Sequence, residues 1–274
     1  MSRKYSSFIV ALAWCCSLFA TPMFTLAADS DNQGRGGRKP VKVMTRNLYL
    51  GADLLPVVSS PTLNHLLANA AATFARVEAT DFPARAKLLA REICDTEPAL
   101  IGLQEVALWR RGDFGVLDGP GTPATIVLYD FLQSLQSELN ALGLEYSVVV
   151  AQSEFDAEVP SALGFDLRVT LRDVILARAD LSPNKLSLTN PQSANYLTTF
   201  VLMTIAGPIT LRRGWTSVDA TMKGRSFRFI NTHLESFDPQ LRFGQSFELL
   251  GGPANTTLPV VLVGDLNSGP AEAG

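Results

Sequence analysis

Ala99-Leu100-Ile101-Gly102-Leu103-Gln104-Glu105-Val106 is the stretch on which the fold turns. Its first five residues are apolar or small without a break, at strand length, the pattern of a β-strand covered on both faces. Such a strand needs a layer above and a layer below. One layer is visible just upstream, where residues 84–95 place Leu88, Leu89 and Ile93 against Lys87 and Arg91 on the opposite side. That spacing reads as a helix packed on a sheet, stopped by Pro98. Gln104 and Glu105 then sit where the strand ends.

Working outward, the same grammar repeats. Val41, Val43 and Leu48 with Tyr49 read as a first strand running into a loop at Gly51. Residues 124–142 read as a helix closed by Gly143. Strands are expected over 146–151, 174–177, 216–220 and 227–231, and 200–209 reads as a hairpin turning at Gly207-Pro208. A last helix, 239–250, is stopped by Gly251-Gly252-Pro253 and followed by a fully apolar strand, 260–263. Apolar strands interleaved with amphipathic helices define an α/β fold in which sheets are covered by helices, and no linker appears after residue 40.

The N-terminus has a different character. Arg3 and Lys4 precede an apolar stretch, 8–20, and Thr25-Leu26-Ala27 places small residues at the −3 and −1 positions of a cleavage site. This is the layout of a secretory signal peptide over 1–27. An uncleaved anchor is the rival reading, opposed by the shortness of the apolar run. Acylation at Cys15 or Cys16 is opposed by Trp14. Residues 28–40 are polar and glycine-rich and read as a flexible leader, and 41–274 as one domain. Cleavage after Ala27 removes two basic and no acidic side chains, leaving 21 Lys+Arg against 26 Asp+Glu, a net charge of −5. An acidic body has no global field to attract polyanions, so nucleic-acid binding would need a local basic patch. Cys94 is then the remaining thiol, and inside a helical pattern it reads as a small core residue.

Polar residues recur where apolar strands end: Asn47, Glu105, His233 in Asn231-Thr232-His233-Leu234-Glu235, and Asp265 with Asn267 in Gly264-Asp265-Leu266-Asn267-Ser268. Each alone is ordinary turn or surface chemistry. Together, two carboxylates, two amides and a histidine at strand ends form an inventory suited to a hard divalent cation and a positioned water.

Thr45-Arg46-Asn47-Leu48, Leu103-Gln104-Glu105-Val106, Arg172-Asp173-Val174-Ile175-Leu176, Asn231-Thr232-His233-Leu234-Glu235 and Gly264-Asp265-Leu266-Asn267-Ser268 resemble, in order and rough spacing, the motifs of the endonuclease/exonuclease/phosphatase superfamily. The resemblance covers residues 41–270. It implies a four-layer α/β/β/α sandwich of two mixed sheets flanked by helices, and hydrolysis of a phosphoester with Mg²⁺ or Mn²⁺. It further implies Glu105 as the main metal ligand with Asn47 beside it, and Asp265 orienting the attacking water. Asn267 would hold that water and the scissile phosphate, and His233 would contact phosphate and protonate the leaving group. Arg172 is a candidate phosphate-binding cation, and equally a strand-edge arginine. The family's closing Ser-Asp-His motif has no counterpart before Gly274, so the last strands and the terminal histidine are expected to be absent. A non-catalytic or fragmentary relative of the same fold is the alternative reading.

The substrate class stays open at this level: nucleic acid, a phospholipid such as sphingomyelin, or a small phosphoester. Arg212, Arg213, Arg225 and Arg228 could line a nucleic-acid groove, and 200–209 could present an apolar loop to lipid. Nothing in the sequence calls for an obligate protein partner, so a monomer acting outside the cytoplasm is expected.

Overall fold

The computed structural model describes residues 40–117, 123–205 and 207–269. The expected signal peptide and all but the last residue of the expected leader lie outside the described residues. The chain runs β1 (Val43–Asn47), α1 (Leu55–Val58), α2 (Leu63–Ala79), α3 (Phe82–Thr96), β2 (Leu100–Gln104), β3 (Leu108–Asp113), β4 (Ile126–Asp130) and α4 (Phe131–Ala141). It continues through β5 (Tyr146–Pro160), β6 (Phe165–Arg178), β7 (Leu186–Asn195), β8 (Phe200–Thr204), β9 (Gly207–Leu211), β10 (Gly214–Met222), β11 (Arg225–His233), α5 (Pro239–Gly251) and β12 (Val260–Asp265).

These strands build two mixed sheets and a hairpin. One sheet has six strands in the order β1-β2-β6-β3-β4, with β5 paired to β6, and the other has four in the order β12-β11-β10-β7. β8 and β9 form the separate hairpin, with Gly207 at φ +106 leaving the turn. Strand β2 is an interior strand, parallel to β1 and antiparallel to β6, and every one of its residues is buried. Its side chains alternate between two cores. Ile101 and Leu103 join Phe74, Ala86, Ala90, Ile93, Phe131 and Leu135 under the helices α2, α3 and α4. Leu100 joins Val43, Ile175, Val218 and Phe229 in the seam between the sheets. On the far side, Leu249 of α5 packs on Ile230 and Tyr196. The layers are therefore helices, sheet, sheet, helix, as expected from the sequence.

Gly102 makes the sheet-to-sheet approach possible. A Cβ there would come within 2.6 Å of Asn231 Oδ1 and 2.7 Å of Val263 Cγ2. Only a residue without a side chain admits that spacing. The Asn231 amide fills the space instead: its Nδ2 donates to the Leu103 carbonyl at 3.1 Å, and Gln104 Nε2 donates to its Oδ1 at 2.5 Å.

Three expectations are corrected. Residues 126–130 are strand β4, not the start of a helix; Ile126 and Val127 are β-branched and pair with β3, and helix α4 begins only where Asp130 caps the Leu132 and Gln133 N–H groups. Helix α3 buries Phe82, Ala86, Ala90 and Ile93, which rotates Leu88 out to 64% exposure. The hairpin turns before Gly207, which itself pairs with Thr204. Strand β12 is the outer strand of its sheet among the described residues, and Val260 and Leu262 are 40% and 39% exposed. Among the described residues no helix is long and apolar enough to cross a membrane.

Candidate active site

Each sheet contains one parallel pair whose crossover is helical: β1 and β2 through α1–α3, β11 and β12 through α5. Parallel strands end on the same side, and the C-terminal ends of such strands are where α/β sheets present functional groups. In register, Asn47 lies opposite Gln104, and His233 lies opposite Asp265. Because β1 packs against β12 and β2 against β11 across the seam, the four strand ends meet at one place.

Asn47 is the hub of that place. Its Nδ2 donates to Glu105 Oε1 and to Asp265 Oδ2, each at 2.9 Å, while its Oδ1 accepts from the Tyr49 N–H at 2.8 Å. Glu105 Oε2 accepts from the Leu50 N–H at 2.8 Å. Asp265 Oδ1 accepts from the Asn267 N–H at 3.0 Å, and Asn267 Nδ2 donates to the Leu234 carbonyl at 2.8 Å. Tyr49, Glu105 and Asn267 hold φ values of +53, +53 and +49. Three non-glycine residues in the left-handed region at one spot is strain of the kind that collects at functional sites. The donor set fits a hard cation: two carboxylates from different sheets converge on one neutral amide, and a side-chain flip of that amide would add its oxygen to theirs.

His233 is 3% exposed. Arg213 Nη1 lies 3.1 Å from its Nδ1, and its Nε2 lies 3.9 Å from Asp265 Oδ2. Burial, and secondarily the Arg213 charge, hold its pKa well below the usual imidazole range, so the ring is neutral.

Beneath it lie two acidic residues to which sequence reasoning gave no role: Asp173, quoted only within its motif, and Glu154. Glu154 occupies a β-bulge, between Ser153 opposite Arg172 and Phe155 opposite Leu171. The extra residue turns its side chain inward, so Glu154 and Phe155 are buried in succession. Asp173 reaches the same space from β6. The available signal was an aspartate inside the apolar run Val174-Ile175-Leu176 and its flank. Glu154, Asp173 and His233 bring ligand atoms within 4.8 Å of one another, a group able to hold a metal ion.

Burial pushes the Glu154 carboxyl from 4.5 up to about 7, and burial together with Glu154 pushes Asp173 well above the carboxylate range. The sign follows from linkage. A folded pKa above the unfolded one adds stability that is complete below about 4.5 and is lost as pH rises through about 7. The thermal midpoint is expected to fall between pH 5 and 8, and Glu154→Gln should flatten that fall. Equal slopes in wild type and variant would place the proton uptake elsewhere.

Arg172, Arg213 and Arg228 are engaged otherwise. Arg172 Nη2 donates to Asp130 Oδ1 at 2.7 Å and its Nε to the Val106 carbonyl at 3.0 Å, tying β6 to the α4 cap and to the turn that carries Glu105. Arg228 makes a two-pronged pair with Asp219 at 2.6 and 2.8 Å. Arg213 lies under the site. With Arg172 and Arg228 paired to carboxylates, a local basic groove would rest on Arg212 and Arg225.

No family model matches the sequence, and no curated protein matches it at a significant level. Among solved structures the chain is similar to proteins of the endonuclease/exonuclease/phosphatase family. An endonuclease/exonuclease/phosphatase from Bacteroides vulgatus is 15% identical, with a TM-score of 0.43 over 84% of this chain and 66% of that one. A mannosyl-6-phosphatase from Bacteroides thetaiotaomicron is 16% identical, with a TM-score of 0.42 over 70% of this chain and 60% of that one. D. rerio TDP2, solved with a single-strand DNA product, is 17% identical, with a TM-score of 0.39 over 69% of this chain and 55% of that one. The chain spans between 55% and 66% of the length of these three proteins.

Proposed function

We propose that this protein is a divalent-metal-dependent phosphoesterase that hydrolyses a phosphodiester or phosphomonoester. The observation that carries this reading is the convergence of Glu105 and Asp265, one from each sheet, on the single amide of Asn47. Glu105 and Asn47 would hold the cation, Mg²⁺ or Mn²⁺, which when bound supplies neutralising charge to phosphate oxygens and acidifies a water.

The chain's own groups do the rest. Asp265 keeps one oxygen toward Asn47 and the other on the Asn267 N–H, so its carboxylate is aimed to orient a water and to accept its proton. Asn267 is fixed through Leu234, leaving its amide oxygen side to meet water or phosphate. His233 is neutral and buried, with its Nε2 3.9 Å from Asp265 Oδ2, and lends the carboxylate a neutral ring neighbour; protonation of the leaving group falls to water or to a substrate group. Arg172 acts by holding the Val106 turn and contributes no direct charge to phosphate.

The test is hydrolysis of bis(p-nitrophenyl) phosphate and p-nitrophenyl phosphate by purified protein. Activity should appear with Mg²⁺ or Mn²⁺ and vanish in excess chelator; turnover that persists in chelator removes the metal from the reading. We further propose export, on the strength of the basic, apolar and small-residue segments over 1–27. N-terminal sequencing of expressed material should begin at or near Ala28, and an N-terminus retaining Met1 would exclude cleavage.

A further inference from the structure

Arg213 lies between β9 and β10, and its backbone is pinned. The Tyr196 N–H donates to its carbonyl at 2.9 Å, and a Cβ on the next residue, Gly214, would lie 2.5 Å from the Ala194 carbonyl oxygen. Its guanidinium is framed by carboxylates: Glu154 Oε2 is 3.9 Å from Nη1, and Glu235 Oε2 is 4.0 Å from Nε. Glu235 is in turn held by the Ser236 and Phe237 N–H groups, each donating to Oε1 at 2.8 Å. The remaining reach of Nη1 is to His233 Nδ1, at 3.1 Å.

A guanidinium has five N–H donors and no acceptor. Its contact with Nδ1 therefore requires a lone pair there, and the ring proton must sit on the other nitrogen. That nitrogen, Nε2, faces Asp265 Oδ2 at 3.9 Å. We propose that Arg213 is a positioning residue that locks His233 in the tautomer carrying its proton on Nε2, and so aims an N–H at Asp265.

The alternative occupant of this pocket is a metal ion held by Glu154, Asp173 and His233. Nδ1 is already committed to a cationic donor, and Nε2 carries the proton, so no ring lone pair is left for an ion. The charged groups facing His233 are Arg213, Glu154, Asp173 and Asp265, and the single guanidinium is the cation among them. Glu154 Oε1 and both Asp173 oxygens have no hydrogen-bond partner in the structure. A proton shared between the two carboxyl groups joins one oxygen of Glu154 to one of Asp173 without an ion, in keeping with their raised pKa values.

The chain has two histidines, so their ring nitrogens can be resolved in ¹⁵N-labelled protein by two-bond N–H correlation, with His65→Gln for assignment. Wild-type His233 should show Nε2 protonated and Nδ1 bare. In Arg213→Met the preference should be lost, with the proton moving to Nδ1 beside Glu154; Arg213→Lys, which also donates, should restore the wild-type pattern. The kinetic half rests on the phosphoesterase reading: kcat of Arg213→Met should fall roughly 10–100-fold with KM little changed, and Arg213→Lys should recover most of it. A wild-type ring protonated on Nδ1, an unchanged tautomer in Arg213→Met, or a shift of the His233 nitrogens when Zn²⁺ is added to metal-free protein would each overturn the inference. The wild-type spectrum needs no variant to fold and no substrate, so an absence of phosphoesterase activity would sink the functional reading while leaving the tautomer to be decided.

Discussion

Glu105→Gln is expected to lower metal-dependent phosphoester hydrolysis by roughly 10²–10⁴-fold, corresponding to about 3–5 kcal/mol in the barrier. The substitution is nearly isosteric and leaves an oxygen to accept from the Leu50 N–H, so the loop geometry should survive. What is removed is the negative charge that makes this strand end attractive to a hard cation. Asn47, which donates to Glu105 and Asp265 together, offers no charge in its place. Two measurements separate the loss of metal from the loss of fold. Calorimetric titration with Mn²⁺ should show weaker binding in the variant, and the thermal midpoint of the metal-free proteins should agree within a few degrees. A variant that binds Mn²⁺ and turns over as the wild type does would remove Glu105 from the site.

Gly102→Ala is expected to destabilise the protein by about 3 kcal/mol, the upper part of the range for overpacking a filled interior. The new methyl would meet Asn231 Oδ1 and Val263 Cγ2 well inside van der Waals contact. Asn231 cannot give way cheaply, because its amide is fully buried and bonded to Leu103 and Gln104. Relief must come from parting β2 from β11 and β12, which are the strands that carry Glu105, His233 and Asp265. The change should therefore lower Tm by roughly 6–12 °C and reduce activity at temperatures where the variant is still folded. Gly143→Ala is the control: Gly143 has open space around it, and its φ of +75 makes the cost one of backbone strain alone, without any effect on the site. Retained activity in folded Gly102→Ala would show that the sheet spacing tolerates adjustment.

The short apolar run at 100–103 was enough to place a strand between two layers, because full burial on both faces leaves no polar position in the alternation. The strand-end polar residues Asn47, Glu105, His233 and Asp265 were legible for a related reason. Each follows an apolar stretch and breaks it with a group that a buried strand does not accommodate. The outer position of β12 was not legible from its own pattern, since Val260-Val261-Leu262-Val263 reads the same whether one edge of the strand is paired or both are; it was expected only from the resemblance. Nor was the boundary of α4, where 126–130 could propagate a helix by pattern but is drawn into a strand by pairing with β3.

The site's lower half belongs to tertiary structure alone. Glu154 points inward at a bulge that adds one residue against β6, an irregularity of pairing that the sequence does not mark. Arg213 looks like one of four surface arginines until the seam between the sheets brings it, from a connection 20 residues before His233, against the ring nitrogen. Arg172 looks like a phosphate ligand until Asp130, 42 residues away, takes its guanidinium. Local sequence determined which residues stand at the strand ends, because that depends on hydrophobic period and turn chemistry. Only the folded chain decided which charges face one another, because burial strengthens electrostatic pairing between groups that are remote in sequence and removes the water that would otherwise screen them.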